Sequence, residues 1–217
     1  MIELLPNFPT ESPGRLLFLG AHSDDIEIGC AAAVIRLVEK RPDAEILWVV
    51  FSGDEIRAAE TRTAARLLGG KQVNVINKHF RGSFFPHDFA AIKESFEEIK
   101  QSFNPDMVFT HYREDHHQDH RVISELTWNT FRSHQIFEYE ILKYDGDLGN
   151  PSVFLPVTRE VAEKKAQVLM EAFPSQHHRQ WFTRDTFLAM LRIRGIQCNA
   201  PDGFAEAYYS RKLSLGL

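Results

Sequence analysis

Short apolar runs alternate with segments of helical period along this chain, and that alternation constrains its fold most. Residues 15–20 read as a strand that ends at Gly20. Residues 29–40 read as a helix, with Ala33, Leu37 and Val38 on its apolar face, and Pro42 and Asp43 end it. Residues 45–51, EILWVVF, are apolar at nearly consecutive positions. That is the pattern of a parallel strand covered on both faces. A helix over 55–68 stopped by Gly69-Gly70, a strand over 72–76, an aromatic loop over 77–87, a helix from Asp88 to about Phe103 and a strand over 107–110 continue the alternation. Strand and helix in turn, four times over, predict an α/β fold with a mostly parallel central sheet flanked by helices.

The remainder is less regular. Asp115 and Gln118 are spaced as a capping box before a helix over 118–132. Strands are expected over 136–144 and 153–157, helices over 158–173 and around 184–194, and polar loops after that. Residues 1–14, with prolines at 6, 9 and 13, read as an irregular lead-in. With no repeat and no linker, residues 1–217 are expected to form one domain.

A net charge of −5 argues against a chain that holds nucleic acid by bulk attraction. No apolar stretch reaches membrane-spanning length, and the N-terminal residues carry no signal-peptide pattern. Cys30 and Cys198, the only cysteines, have no metal or redox spacing. A cytoplasmic protein, with a homo-oligomer possible, is the expectation.

The chemistry lies in two places. Ala21-His22-Ser23-Asp24-Asp25 puts one histidine and two carboxylates at the end of the first strand. His117-Gln118-Asp119-His120 follows the fourth strand, within a cluster that also holds His111 and His116. Ligands bind at the carboxyl ends of strands in open α/β sheets. His22, Asp25 and His120 would supply two imidazoles and one carboxylate, leaving a coordination position for water on zinc or another divalent metal. Asp24 would remain as general base, and His117 could stabilise an oxyanion. Asp119 could fix the His117 tautomer if the helix begins as a loop. The residues alone leave a second reading open. Asp24 and Asp25 could cap the next helix, and His111 and His116 could be solvated loop residues.

These motifs resemble the PIG-L / LmbE-like N-deacetylase family, whose signature is AHPDD and later HxDH. Arg57, Glu60 and the helix end at Leu68-Gly69 resemble its R..E…LG helix; Lys165 with Ser175-Gln176 resembles its K…SQ segment; Phe204-Ala205-Glu206 resembles its YAE. Ser23 stands in place of the usual proline, and Ile26-Glu27 in place of the glutamate after the aspartates. The resemblance implies a Rossmann-like three-layer fold and a divalent metal, usually zinc, on His22, Asp25 and His120. It implies Asp24 as base, His117 as oxyanion donor with Asp119 its partner, and Arg57 as a substrate contact. The implied reaction is removal of acetyl from an N-acetylated amino sugar or sugar conjugate. The family also includes a hydratase of a small dicarboxylic acid, for which Arg57, Arg81 and Arg113 are available cations. A non-catalytic binding protein is the third alternative.

Overall fold

A computed structural model describes residues 3 and 13–213. Most of the expected lead-in over 1–14 falls outside the described residues. The elements are β1 (Arg15–Gly20), α1 (Asp25–Lys40), β2 (Glu45–Ser52), α2 (Glu55–Gly69), β3 (Val73–Phe80), α3 (Phe89–Ser102) and β4 (Met107–His111). They continue with α4 (Gln118–Thr130), β5 (Gln135–Tyr139), β6 (Val153–Val157), α5 (Arg159–Ala172), α6 (Arg184–Gln197) and β7 (Phe204–Tyr209).

The strands form one seven-stranded sheet in the order β3-β2-β1-β4-β5-β7-β6. β3, β2, β1, β4 and β5 pair in parallel, and β7 runs antiparallel to both β5 and β6. The chain steps outward from β1 to β3, then returns to lay β4 on the other side of β1. Loops leaving the two adjacent strands diverge there, which opens a crevice at their carboxyl ends.

The strand period of two sorts the core into two layers. Leu16 and Phe18, Ile46, Trp48 and Val50 face the side covered by α1, α2, α5 and α6. Leu17 and Leu19, Leu47, Val49 and Phe51 face α3 and α4. The result is the three-layer α/β architecture expected from the sequence. Gly29 lets α1 sit close on the sheet, because a Cβ there would run into the ring of Tyr139.

Several boundaries differ from expectation for identifiable reasons. α1 begins at Asp25 rather than Gly29, since the Asp24 carbonyl already accepts from Ile28 N–H at 2.9 Å. β3 runs on to Phe80, pairing with Ser52 past an irregularity in β2. β5 stops at Tyr139, five residues early, and the chain turns toward the crevice. The largest difference is β7, a fully buried strand where polar loops were expected. Glu206, in its middle, is buried. Its carboxylate accepts from Lys165 Nζ at 2.6 Å, from the N–H groups of Ala32 and Ala33 at 2.8 Å each, and from the Tyr208 hydroxyl at 2.6 Å.

Candidate metal centre and active-site cleft

The β1–α1 turn carries a backbone that side chains rarely adopt. Asp24 has φ 105° and ψ −23°, a left-handed conformation costing about 1–3 kcal/mol in a non-glycine residue. It occupies the N-cap position of α1, yet its side chain caps nothing. The carboxylate instead pairs with Arg57 Nη2 at 2.9 Å. Arg57 also donates to the carbonyl oxygen of Ser23, so one guanidinium grips both the turn and its acid. The helix-cap alternative for Asp24 therefore does not describe this turn.

Asp25 points the other way. One of its oxygens accepts from His22 N–H at 2.7 Å and lies 3.4 Å from His22 Nδ1. The other lies 3.5 Å from His120 Nε2, and His22 Nδ1 is 3.2 Å from that same nitrogen. Donors about 2.0–2.1 Å from a tetrahedral zinc sit about 3.3 Å from one another. The three side chains named from the sequence thus match such an ion in donor type, and pair by pair in spacing, with each imidazole near a different oxygen of Asp25. His117 also brings a ring nitrogen within 4.8 Å of ligand atoms of His22 and His120, and His111 does so for Asp25 and His120.

The far nitrogens of both candidate histidine ligands are held. His22 Nε2 meets Asp119 Oδ2 at 3.0 Å, and His120 Nδ1 meets Asp115 Oδ2 at 2.9 Å. Carboxylates behind metal-binding imidazoles fix the tautomer and ring direction. Asp119 is itself locked by the N–H groups of Ser83 and Phe85, at 2.5 and 3.2 Å. Its carboxylate therefore serves His22 rather than His117, the partner expected from the sequence. The His117 tautomer is set instead by the Asp119 backbone N–H, which donates to Nδ1 at 3.2 Å and leaves Nε2 as the N–H donor. The same contact caps α4, so Asp115 and Gln118 form no capping box.

Electrostatics separate the two neighbouring aspartates. Burial pushes the Asp24 carboxyl up to about 7, with Asp25 adding to the rise and Arg57 opposing it. Burial acts on Asp25 too, but positive charge and hydrogen bonding from the surrounding histidine cluster overcome it and hold that carboxyl well below the usual range. Burial, and then the neighbouring His111, lower His120 to about 3, a neutral imidazole, whereas against burial Asp25 and Asp119 raise His22 to about 10, so an ion binding there would displace a proton from that ring. Burial likewise lowers His117.

These residues open on a cleft of about 320 Å³. Arg57, Lys143, Tyr144, Arg179 and Trp181 line its walls. Arg81 and Arg113 lie elsewhere, stacked over Phe84 and Trp128 at 3.6 and 5.3 Å. His116 is exposed as expected, but His111 is fully buried at the end of β4, with Nε2 accepting from Ala21 N–H at 2.9 Å. The sequence reading ended that strand one residue early and so left His111 in the loop. Asp115 and Lys143 were also missed. Lys143 Nζ bridges Asp115 and Asp147 at 3.0 and 2.5 Å, and an acid five residues before a candidate ligand was the available signal.

A family model described as GlcNAc-PI de-N-acetylase (PIG-L) matches residues 17–131. The uncharacterized deacetylase YaiS of Escherichia coli (strain K12) is 32% identical over 136 residues, 58% of this chain and 72% of that protein. N,N'-diacetylchitobiose deacetylase from Pyrococcus horikoshii superposes with a TM-score of 0.71 at 19% identity, over 95% of this chain and 86% of that one. GalB, the 4-carboxy-2-hydroxymuconate hydratase from Pseudomonas putida KT2440, superposes with a TM-score of 0.74 at 17% identity, over 94% and 99%. At those identities the two structures speak for the fold, whereas the family model spans β1 to α4, where all the candidate ligands lie. The chain belongs to the PIG-L family of GlcNAc-PI de-N-acetylases.

Proposed function

We propose that this protein is a divalent-metal-dependent N-deacetylase, with zinc the expected ion, acting on an N-acetylated amino sugar or sugar conjugate. The observation that carries this reading is the convergence of His22, His120 and Asp25: the two ring nitrogens lie 3.2 Å apart and each lies 3.4–3.5 Å from one or other oxygen of the Asp25 carboxylate, with Asp24 left outside on the same turn. His22, Asp25 and His120 would hold the ion, which would supply Lewis acidity to water and to the amide carbonyl.

Asp24 takes the proton of the attacking water as the water oxygen bonds to the acetyl carbon. Its carboxyl, brought to about 7 by burial, suits a group that must both accept and return a proton near neutral pH. It returns that proton to the nitrogen as the C–N bond breaks, releasing acetate and a free amine. Nε2–H of His117 donates to the oxyanion of the tetrahedral intermediate. Asp119 and Asp115 orient His22 and His120. Arg57 holds Asp24 in place and faces the cleft, where it is also the proposed substrate contact.

The test is acetate release from a panel of N-acetylated sugars and nucleotide sugars by zinc-loaded protein. Release that a chelator abolishes and zinc restores is expected. Metal-loaded protein that frees no acetate, yet hydrates an unsaturated dicarboxylic acid, would assign this fold to hydratase chemistry instead.

A further inference from the structure

The three cations in the cleft wall are not equivalent. Arg57 is matched by Asp24 and Glu60, at 2.9 and 2.8 Å. Lys143 is matched by Asp115 and Asp147, and Asp145 leans on it from the rim at 3.7 Å. Arg179 makes no ion pair within 4 Å among the described residues, and its charge reaches Asp24 only at longer range. Its Nε donates to the neutral amide oxygen of Gln176 at 2.7 Å, and both Nη groups are left over.

Arg179 is exposed, as a solvated surface arginine would be, but it is tied in place from below. Gln176 is buried and donates through Nε2 to Ser175 Oγ at 3.0 Å. Ser175 donates from Oγ and from its backbone N–H to Glu60, at 2.7 and 2.9 Å. Glu60 is the partner of Arg57, which holds Asp24. A continuous polar chain therefore runs from the proposed base to the guanidinium, and it occupies Nε while leaving the Nη edge open. That edge matches the paired oxygens of a carboxylate or phosphate. Beside it, Tyr144 and Trp181 meet edge-on with centroids 6.4 Å apart. Tyr144 is 70% exposed and gives a sugar ring an aromatic face.

We propose that Arg179 is a specificity residue that seats an anionic oxygen group, carboxylate or phosphate, on the substituent of the N-acetylated sugar. This rests on the deacetylase reading above and narrows its substrate class. An unmatched guanidinium beside a substrate cleft favours a charged substrate over a neutral one of the same shape.

The experiment compares zinc-loaded wild type, Arg179→Gln and Arg179→Lys on three substrates. These are methyl N-acetylglucosaminide, N-acetylglucosamine 1-phosphate and the N-acetylglucosaminide of glycolic acid. Wild type is expected to prefer at least one charged substrate by about tenfold or more in kcat/KM, through KM, and the preferred one identifies the anion. Arg179→Gln should bring the charged-to-neutral ratio close to one, and Arg179→Lys should keep part of it, since charge remains but the fork is lost. A wild-type ratio near one for both charged substrates, or a ratio that survives in Arg179→Gln, overturns the proposal. Unchanged melting temperatures verify that the variants fold. If no substrate yields acetate, the deacetylase reading fails by itself. Calorimetric binding of the corresponding free-amine sugars then decides: an Arg179-dependent preference for charge supports the seat, and its absence overturns it.

Discussion

The carboxylate of Asp119 lies 3.0 Å from His22 Nε2, on the side of the imidazole away from Asp25 and His120. Asp119→Asn keeps the side-chain shape and removes the charge that orients and enriches this ligand. Zinc affinity is expected to fall about 10–100-fold, measured by calorimetric titration of chelator-stripped protein. Wild-type affinity in the variant would show that Asp119 does not act through His22.

Asp24 gives a pH signature. Its active form as a base is the carboxylate, and burial lifts its carboxyl to about 7. Activity should fall as pH drops below that carboxyl's pKa, tenfold per pH unit, and a bound cation would draw this limb to lower pH. Asp24→Asn should retain stoichiometric zinc and lose about 10²–10⁴-fold in kcat, together with the acid limb. A variant with full turnover would remove Asp24 from the base role.

Arg57 tunes that limb. The guanidinium stabilises the Asp24 carboxylate at 2.9 Å, so its loss favours the protonated acid. In Arg57→Gln the acid limb of kcat/KM should move to higher pH, by about 1–3 pH units. A pH–rate profile that stays in place would mean the ion pair does not govern the base.

Lys165 and Glu206 make a stability prediction remote from the cleft. Nζ of Lys165 also donates to the Ile28 carbonyl at 2.6 Å, so the pair ties α5 and β7 to α1. Lys165→Met leaves a buried carboxylate without its cation and should cost about 3–5 kcal/mol in urea unfolding. A cost below about 1 kcal/mol would show that the N–H groups of Ala32 and Ala33 suffice for Glu206.

The legible parts of this molecule were those whose signals are local. Apolar runs of a few residues mark β1, β2 and β4, and Asp24 and Asp25 stood out as candidates because both sit in one turn with His22. What escaped depends on groups far apart in the chain. β7 was hidden because a glutamate within a strand looks exposed until Lys165, 41 residues away, is placed against it. Asp119 carries a carboxylate and an N–H that serve different histidines, which spacing alone cannot separate. Arg179 looks like any loop arginine until it can be seen that no described residue pairs an acid with it within 4 Å.

The strand order has a consequence for how such a protein can diversify. The proposed ligands and base come from the turns and helix starts after β1 and β4, inside the stretch the family model matches. Lys143, Tyr144, Gln176, Arg179 and Trp181 come from later segments that only border the cleft. On the proposed roles, the reaction is written in the first part of the gene, and recognition, Arg57 apart, in the second. Exchanging residues 140–152 and 173–183 between relatives would redirect the enzyme to new molecules while its hydrolytic machinery is inherited unchanged.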